Sequence, residues 1–306
     1  MDNEATIESI AEEAEVAEEP RVRITLETVL GWLRLQPVQM GLVIFALMIG
    51  VFWPVFDSVP ALWFNMNGYH QHGPLVPFAI AYIIYVNWDK FSKIPVKKTW
   101  APLIFLAPLL YLNCAMTRSG FFSSIQTGIM MIALGLILWS MLGFRWAFAL
   151  IPTMIFATTG LPLWERVIDE NTNQLQLWST DITFNLLKML GYGPIQTEST
   201  TIHLDSYTLY IAVACSGMKL TMAMIASALF IILVARLSWW KNLILAGMAL
   251  PMAVVINGLR ITASGMVGEQ YGQDAGTMFH DYGSYIFLVL AFYILYQVSK
   301  LLGWKI

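Results

Sequence analysis

Cysteine, histidine and charged side chains are all scarce in this chain. Its 306 residues include two cysteines, Cys114 and Cys215, and four histidines, and charged residues make up only 12% of the sequence. Two cysteines in distant segments exclude a dense disulfide framework. Hydrophobic residues make up 58% of the chain and occur in long runs, as a bilayer core requires. The composition predicts a protein whose partner is the lipid bilayer, and nothing in it indicates nucleic-acid binding.

The basic start of a cleavable signal peptide is also missing. Residues 1–20 are acidic and poor in large apolar side chains, whereas a signal peptide begins with basic residues. We expect these residues to form a disordered cytoplasmic tail. The first apolar span would then act as an uncleaved anchor, and residues 38–303 would form one polytopic membrane domain.

Eight apolar stretches are candidates for transmembrane helices. They cover approximately residues 38–56, 74–88, 101–117, 125–142, 146–163, 212–235, 242–260 and 282–300. The second stretch is short, and Pro74 and Pro77 fall in its first turn, where proline is tolerated. The sequence therefore predicts an all-α polytopic membrane protein with about eight transmembrane helices.

Lysine and arginine are distributed unevenly between the segments that connect these stretches. With a cytoplasmic N-terminus, 12 of the 17 basic residues fall in cytoplasmic segments. The positive-inside rule therefore predicts that both termini are cytoplasmic in the plasma membrane, which is the inner membrane of a two-membrane cell. The same orientation places Cys215, Arg260 and His280 near the extracytoplasmic interface, at the ends of the last three spans.

One long connection, about residues 162–211, is predicted to lie outside the membrane. Its first part has apolar residues at helical spacing and polar residues on the other face, which is typical of an amphipathic helix lying in the membrane interface. Two short β-patterned stretches around a turn at Asp205 follow and predict a β-hairpin. The second strand of this hairpin leads directly to Cys215.

Cys215 is the first candidate catalytic residue. Most cysteines in apolar surroundings are inert, as we expect for Cys114, which lies within an apolar span without a polar motif. Cys215 differs because Ser216 and Gly217 follow it at a strand-to-helix junction. The N-terminus of a helix favours a thiolate, so Cys215 is predicted to be a nucleophile with Ser216 and Gly217 in supporting positions.

Arg260 and His280 complete the set of groups needed for acyl transfer through a cysteine. Asn257 lies one helical turn before Arg260 on the same face, which argues against an arginine that merely reaches for lipid headgroups. Arginine stays charged, so its expected task is to bind a carboxylate or stabilise an oxyanion. A histidine beside these groups is a candidate general acid or base near neutral pH.

Two further histidines, His70 and His72, precede the second span. Their spacing is compatible with a pair of metal ligands, but the only other histidine outside the spans is His203, and no cluster of carboxylates accompanies them. We therefore predict no metal site and no cofactor. A structural or substrate-orienting role is expected for His70 and His72.

Taken in order, these motifs resemble the exosortase/archaeosortase family of membrane cysteine transpeptidases. The matching elements are A-C-S-G around Cys215, N-x-x-R ending at Arg260, His280 before the last span, H-G-P-L-V-P at 72–77 and G-L-P-L-W at 160–164. Each motif is short and weak by itself, but their order and spacing are specific. The resemblance covers about residues 40–300.

The resemblance implies a cysteine protease or transpeptidase that sorts exported proteins. It would cleave a C-terminal sorting tail of the PEP-CTERM kind, composed of a short Pro-Glu-Pro-like motif, a transmembrane helix and a basic cluster. By position, Cys215 would be the nucleophile that forms a thioester, Arg260 the stabiliser of the oxyanion or substrate, and His280 the general acid/base. The cleaved protein would pass to an acceptor molecule or to water.

Three other functions are compatible with parts of the pattern. A transporter or polysaccharide-export component would need charged groups along a path through the membrane, whereas here the middles of most spans lack charge. A membrane acyltransferase that uses His280 as base would not need Cys215. A non-catalytic assembly scaffold would need neither Cys215 nor Arg260.

Overall fold

The computed structural model describes residues 36–65, 68–118 and 123–304. The acidic residues 1–20, for which the sequence predicts a disordered tail, lie outside this part. The chain divides into two units between Val51 and Phe52.

The described part of the first unit is a single helix. Helix α1, Gln36–Val51, contains no charged residue. It covers most of the first predicted span.

The second unit is built mainly from helices and contains one small sheet. Its helices are α2 (Trp53–Phe64), α3 (Val76–Val86), α4 (Trp88–Phe91), α5 (Leu103–Arg118), α6 (Ser123–Leu142), α7 (Phe144–Ala157), α8 (Glu165–Met189), α9 (Met218–Ala235), α10 (Trp239–Tyr271) and α11 (Gln273–Leu301). Its strands are β1 (Ile195–Glu198), β2 (Thr201–His203) and β3 (Thr208–Tyr210), and short 3₁₀ turns occur at Gly73–Leu75, Thr158–Gly160 and Val213–Cys215. The predicted helical class is confirmed.

The described residues confirm apolar helices long enough to cross a membrane but do not confirm the eight spans predicted from the sequence. Among the described residues, three segments are long and apolar enough to cross a membrane, namely Ser123–Leu142, Val213–Ala235 and Trp239–Tyr271. Up to six spans result if each of three helix pairs separated by a short break is counted as one. Two of the predicted spans correspond to apolar helices of only 10–17 residues, Gly73–Val86 and Leu103–Arg118. Such helices are short for a hydrocarbon core that takes about 20 residues to cross.

The last two helices also begin and end at different residues from those predicted. Helix α10 has 33 residues and ends at Tyr271, and α11 begins at Gln273. Arg260 and His280 therefore lie inside helices that extend beyond the predicted spans. The extension of α10 is stabilised by the sheet, because Gly265 packs so closely on Leu209 that a Cβ there would lie 2.6 Å from Leu209 Cδ1.

The sheet is an antiparallel meander of order β1-β2-β3. The predicted hairpin is present as β2 and β3, which pair Ile202 with Leu209. The backbone N–H of Leu204 donates to the C=O of Tyr207 at 2.8 Å and closes the turn. Strand β1 was not predicted from the sequence, because four exposed residues carry no alternation of polar and apolar side chains.

Two apolar clusters position the helices that follow the sheet. The first joins α9, α10 and α11 through fully buried side chains that include Met224, Leu245 and Leu295. The second lies under the sheet, where Cys215 packs with Ile211 and other buried residues. Cys215 is therefore held between the sheet and the bundle formed by the last three helices.

A candidate cysteine, histidine and arginine site

Cys215 ends a 3₁₀ turn that connects strand β3 to helix α9. Ser216 follows, Gly217 has a positive φ of 88°, and α9 begins at Met218. The backbone N–H of Met218 donates to Ser216 Oγ at 3.3 Å. The chain therefore turns sharply after Cys215, and the thiol lies beside the N-terminus of α9, where anionic groups are stabilised.

The backbone conformation and the close surroundings of residue 217 explain why a glycine follows Cys215 and Ser216. A Cβ at this position would lie 2.7 Å from Cγ and Nδ2 of Asn257. The positive φ is itself unfavourable for a residue with a Cβ. Both the backbone conformation and the approach of Asn257 thus require glycine.

Asn257 anchors the turn to helices α10 and α8. Its side chain is fully buried, and its amide donates to the C=O of Cys215 at 3.0 Å and to Ser179 Oγ at 2.9 Å. Ser179 in turn donates to the C=O of Ser216 at 3.2 Å. This chain of hydrogen bonds fixes the backbone that carries the thiol.

His280 contacts Cys215 directly. The Nε2 atom of His280 lies 2.5 Å from Sγ of Cys215, across 65 residues of sequence. Cys215 is 7% exposed and His280 is half-buried. A thiol in hydrogen-bond contact with an imidazole is the arrangement in which cysteine becomes a nucleophile and histidine carries the proton.

Arg260 adds a permanent positive charge to the same site. It lies one turn after Asn257 on α10, is half-buried, and interacts electrostatically with Cys215. Lys219 also interacts electrostatically with Cys215, from the first turn of α9. Two cations would therefore stabilise a negative charge that develops next to the thiol.

A comparison with known protein families agrees with this geometry. The family model described as transmembrane exosortase matches residues 63–296. The chain belongs to the exosortase family. No curated protein and no solved structure matches it. Membership places this exosortase among membrane proteins whose substrates are exported proteins, and the match includes Cys215, Arg260 and His280.

Of the predicted site residues of this exosortase, six come together and one does not. Cys215, Ser216, Gly217, Asn257, Arg260 and His280 form one connected group. His72 instead contacts the C=O of Thr159 with its Nε2, at 3.0 Å. Among the described residues, no group of three or more His, Cys, Asp or Glu side chains is arranged to hold a metal ion.

The loop that carries His72 has a packing role in this structure. Gly73 lies against the indole of Trp63, whose Nε1 donates to the C=O of Gly160 at 2.6 Å. Burial lowers the pKa of His72. Burial and the neighbouring His72 lower the pKa of His70 to about 4. The loop therefore holds two neutral imidazoles near neutral pH, which suits a structural role.

The sequence did not predict a role for Tyr207, which packs the sheet against the two helices that carry Arg260 and His280. Its ring lies against the backbones of Gly268 in α10 and Gly276 in α11, where an added Cβ would come within 2.6 Å and 2.9 Å of ring atoms. Burial, and secondarily the neighbouring Cys215, raise the pKa of Tyr207. The phenol thus stays protonated close to the thiol. Gly268 and Gly276, which lie between the last two predicted spans, were the available signal, because a residue without a Cβ allows close packing.

The burial of one face of α8 was also not predicted, because the residues at the centre of that face are polar. Thr172, Gln176, Ser179, Thr180 and Thr183 are all buried. Gln176 donates to the C=O of Ile211 at 2.5 Å, and Thr183 to the C=O of Gly258 at 3.2 Å. Apolar periodicity predicts that such a polar helix face is exposed to water. Here it supports the backbone on both sides of the site.

An apolar cavity of about 320 Å³ begins next to the site, at Met218. Its walls are formed mainly by α8 and α9, with side chains that include Leu175, Trp178 and Met222. The site is therefore flanked by apolar surface on the side where α9 continues away from the thiol.

Proposed function

We propose that this exosortase cleaves C-terminal sorting tails from exported proteins through a thioester on Cys215. The observation that carries the proposal is the contact of 2.5 Å between Cys215 Sγ and His280 Nε2, in a chain that belongs to the exosortase family. The tail would be of the PEP-CTERM kind, and its transmembrane helix would lie in the bilayer next to the enzyme.

In the first half of the reaction, the Cys215 thiolate attacks the carbonyl carbon of the scissile peptide bond. Arg260 stabilises the oxyanion of the tetrahedral intermediate, because a fixed cation favours the charge that develops there. His280, protonated by the thiol, donates its proton from Nε2 to the nitrogen of the leaving amine. The C–N bond breaks, and the exported protein remains bound to Cys215 as a thioester.

In the second half, an amine of an acceptor molecule or a water molecule attacks the thioester. His280 accepts the proton of this nucleophile, and the C–S bond breaks to regenerate the thiol. Transfer to an amine gives transpeptidation, and transfer to water gives hydrolysis.

The proposed orientation has both termini in the cytoplasm and the site at the extracytoplasmic face of the plasma membrane. The support for it is the excess of basic residues in the segments assigned to the cytoplasm. C-terminal fusions to green fluorescent protein and to alkaline phosphatase test it. We expect fluorescence and no phosphatase activity, and the reverse pattern would overturn the orientation.

A tail-bearing reporter tests the proposed reaction. The tail is taken from an exported protein encoded in the same genome, and the reporter is co-expressed with the wild-type enzyme or with Cys215→Ala. We expect tail loss with the wild type and at least a 10³-fold slower reaction with the variant. Intact-mass measurement of the new C-terminus then identifies water or an acceptor.

The second cysteine supplies a matched control. Cys114 is exposed on α5, so Cys114→Ala removes a thiol without touching the site and is expected to process the reporter at the wild-type rate. Equal processing by Cys215→Ala and the wild type would remove Cys215 from the mechanism.

A further inference from the structure

Strand β3 forms one edge of the sheet and leads directly into the turn that ends at Cys215. Strand β2 is central, with β1 on one side and β3 on the other. After β3, Ala212 remains extended, with φ −69° and ψ 162°, before the turn begins at Val213. An edge of extended backbone thus runs from β3 to the turn that carries the candidate nucleophile.

Two hydrogen bonds at the ends of β3 establish which backbone groups face β2. The N–H of Leu204 donates to the C=O of Tyr207 at 2.8 Å, and the N–H of Ile211 donates to the C=O of Thr200 at 2.9 Å. Hydrogen-bonded pairs alternate with non-hydrogen-bonded pairs in an antiparallel ladder. Leu209 is therefore the residue within β3 that bonds to β2, and Tyr207 and Ile211 make the corresponding bonds just before and just after the strand.

Thr208 and Tyr210 direct their backbone groups away from β2. Their register partners, His203 and Thr201, are the non-hydrogen-bonded pairs of this ladder. Within the part of the chain that the structure describes, the N–H and C=O groups of Thr208 and Tyr210 make no hydrogen bond. Two donors and two acceptors are thus aligned along the outer edge of β3.

This edge is accessible and is not protected by proline, lysine or a bulge. The side chain of Tyr210 is 68% exposed and Thr208 is also exposed, whereas Leu209 is 5% exposed and faces the helices. Proteins normally protect an open edge with proline, lysine or a bulge, and β1 at the opposite edge has an irregular register between Gln196 and Glu198. Strand β3 has none of these features.

We propose that the peptide substrate binds to this enzyme as a fourth strand of the sheet. Residues of the substrate on the N-terminal side of the scissile bond would pair with the backbone of Thr208 and Tyr210, in the mode called β-augmentation. The proposal rests on the proposed peptidase function and adds the site that holds the substrate backbone. The ligand is an extended peptide, recognised through main-chain groups that every peptide has.

The position of the edge relative to Cys215 favours this occupant. Extended chains advance about 3.3 Å per residue, so a peptide paired at Tyr210 continues past Ile211 and Ala212 towards the thiol. Immobilising the backbone beside the nucleophile reduces the entropic cost of attack on one particular peptide bond. The remaining affinity would come from side-chain pockets and from the tail in the membrane.

Proline substitutions test the proposal from the enzyme's side. Tyr210→Pro removes an N–H that points outward and leaves the bonds between β2 and β3 in place. We measure binding of a synthetic peptide that spans the cleavage region of a tail-bearing exported protein, using Cys215→Ala enzyme in detergent so that no turnover occurs. We expect Tyr210→Pro to weaken binding about tenfold or more. Tyr210→Ala keeps the N–H, so its loss of affinity should be at least fivefold smaller than that of Tyr210→Pro.

The opposite edge of the same sheet supplies a matched control. The N–H of Gln196 in β1 also points away from β2, because its partner Ile202 directs its own backbone groups towards Leu209 of β3. Gln196→Pro is therefore expected to leave peptide binding within twofold of the parent. Equal weakening by Gln196→Pro and Tyr210→Pro, or full binding by Tyr210→Pro, would overturn strand addition at β3.

Modified peptides test the proposal from the substrate's side. N-methyl groups are placed singly on successive residues before the scissile bond. Because only alternate residues of an added strand face β3, affinity should fall with a period of two residues. A uniform fall, no fall, or failure of the unmodified peptide to bind contradicts the proposal. Failure of wild-type enzyme to cleave a peptide that binds with this alternation would contradict the proposed reaction alone.

Discussion

At the scale of single residues, the candidate site depends on the backbone around Cys215 as much as on the side chains of Cys215, Arg260 and His280. The C=O of Cys215 accepts from Asn257, and the C=O of Ser216 accepts from Ser179. Gly217 permits both bonds, because it adopts a positive φ and leaves room for the amide of Asn257. The thiol is thereby held in contact with Nε2 of His280.

Replacing Gly217 with alanine should disrupt this arrangement. The positive φ costs a residue with a Cβ about 1–2 kcal/mol, and the contact with Asn257 at 2.7 Å adds a clash that only movement can relieve. We expect a lower unfolding temperature and at least a tenfold loss of processing, measured by thermal unfolding in detergent and by the tail reporter.

Gly191→Ala is a control that separates backbone strain from the clash with Asn257, the two effects expected in Gly217→Ala. Its φ is 86°, but no atom lies within 4 Å of the position that a Cβ would occupy. Gly191→Ala should therefore lower the unfolding temperature through strain and leave processing within twofold of the wild type. Full processing by Gly217→Ala would show that the contact with Asn257 does not position Cys215.

At the scale of secondary-structure elements, the turn between β2 and β3 is attached to the C-terminal end of α10 and the N-terminal end of α11. Both carboxylate oxygens of Glu269 accept from the backbone N–H of Ser206, at 3.1 and 3.0 Å. The ring of Tyr207 packs against Gly268 and Gly276. Because Arg260 and His280 lie on these two helices, the attachment sets their position relative to Cys215.

Gly268→Ala should loosen that attachment. A Cβ at Gly268 would lie 2.6 Å from the ring of Tyr207, so the ring must move out of its place between the helices. We expect processing of the tail reporter to fall about tenfold, since misplacement of reacting groups by about 1 Å can cost a hundredfold. Cys215→Ala in the same assay defines the background rate.

Gly247→Ala is the matched control on α10 itself. No atom lies within 4 Å of a Cβ at Gly247, and alanine is the better helix former by about 1 kcal/mol. We expect unchanged processing and unchanged or slightly higher thermal stability. If Gly268→Ala behaved like Gly247→Ala, Tyr207 would not be needed to position the helices.

At the scale of the whole molecule, His70 should make stability depend on pH. Its side chain is 1% exposed, its Nε2 has no hydrogen-bond partner within the described residues, and its pKa is lowered from 6.5 to about 4. The unfolded chain therefore binds a proton that the folded chain excludes between these two pH values. Stability should fall by about 3 kcal/mol as the pH drops through this window.

Thermal unfolding in detergent between pH 7.5 and pH 4.5 measures this effect. In His70→Gln the dependence should become shallower, because glutamine does not titrate. The neighbouring His72, whose pKa is also lowered by burial, accounts for part of any dependence that remains. The same slope in His70→Gln and the wild type would show that His70 is not the group responsible.

Local patterns in the sequence were sufficient to identify the helical class and six residues that the structure brings together around Cys215. Long apolar runs reflect the requirement that backbone groups in a bilayer bond to one another, and that requirement acts within each helix. The motifs around Cys215, Arg260 and His280 are equally local. Asn257 was identified as well, because residues three apart on a helix share a face.

Only the tertiary structure decided which of these parts meet. Contact between Cys215 and His280 crosses 65 residues, and no short-range pattern encodes a distance of that kind. The polar face of α8 is buried because hydrogen bonds to Ile211 and Gly258 replace those to water, which apolar periodicity cannot indicate. Strand β1 and the length of α10 likewise depend on packing against other segments of the chain. The sequence by itself therefore determined the helical class and the candidate residues, because both depend on local patterns, whereas packing between distant segments determined their arrangement.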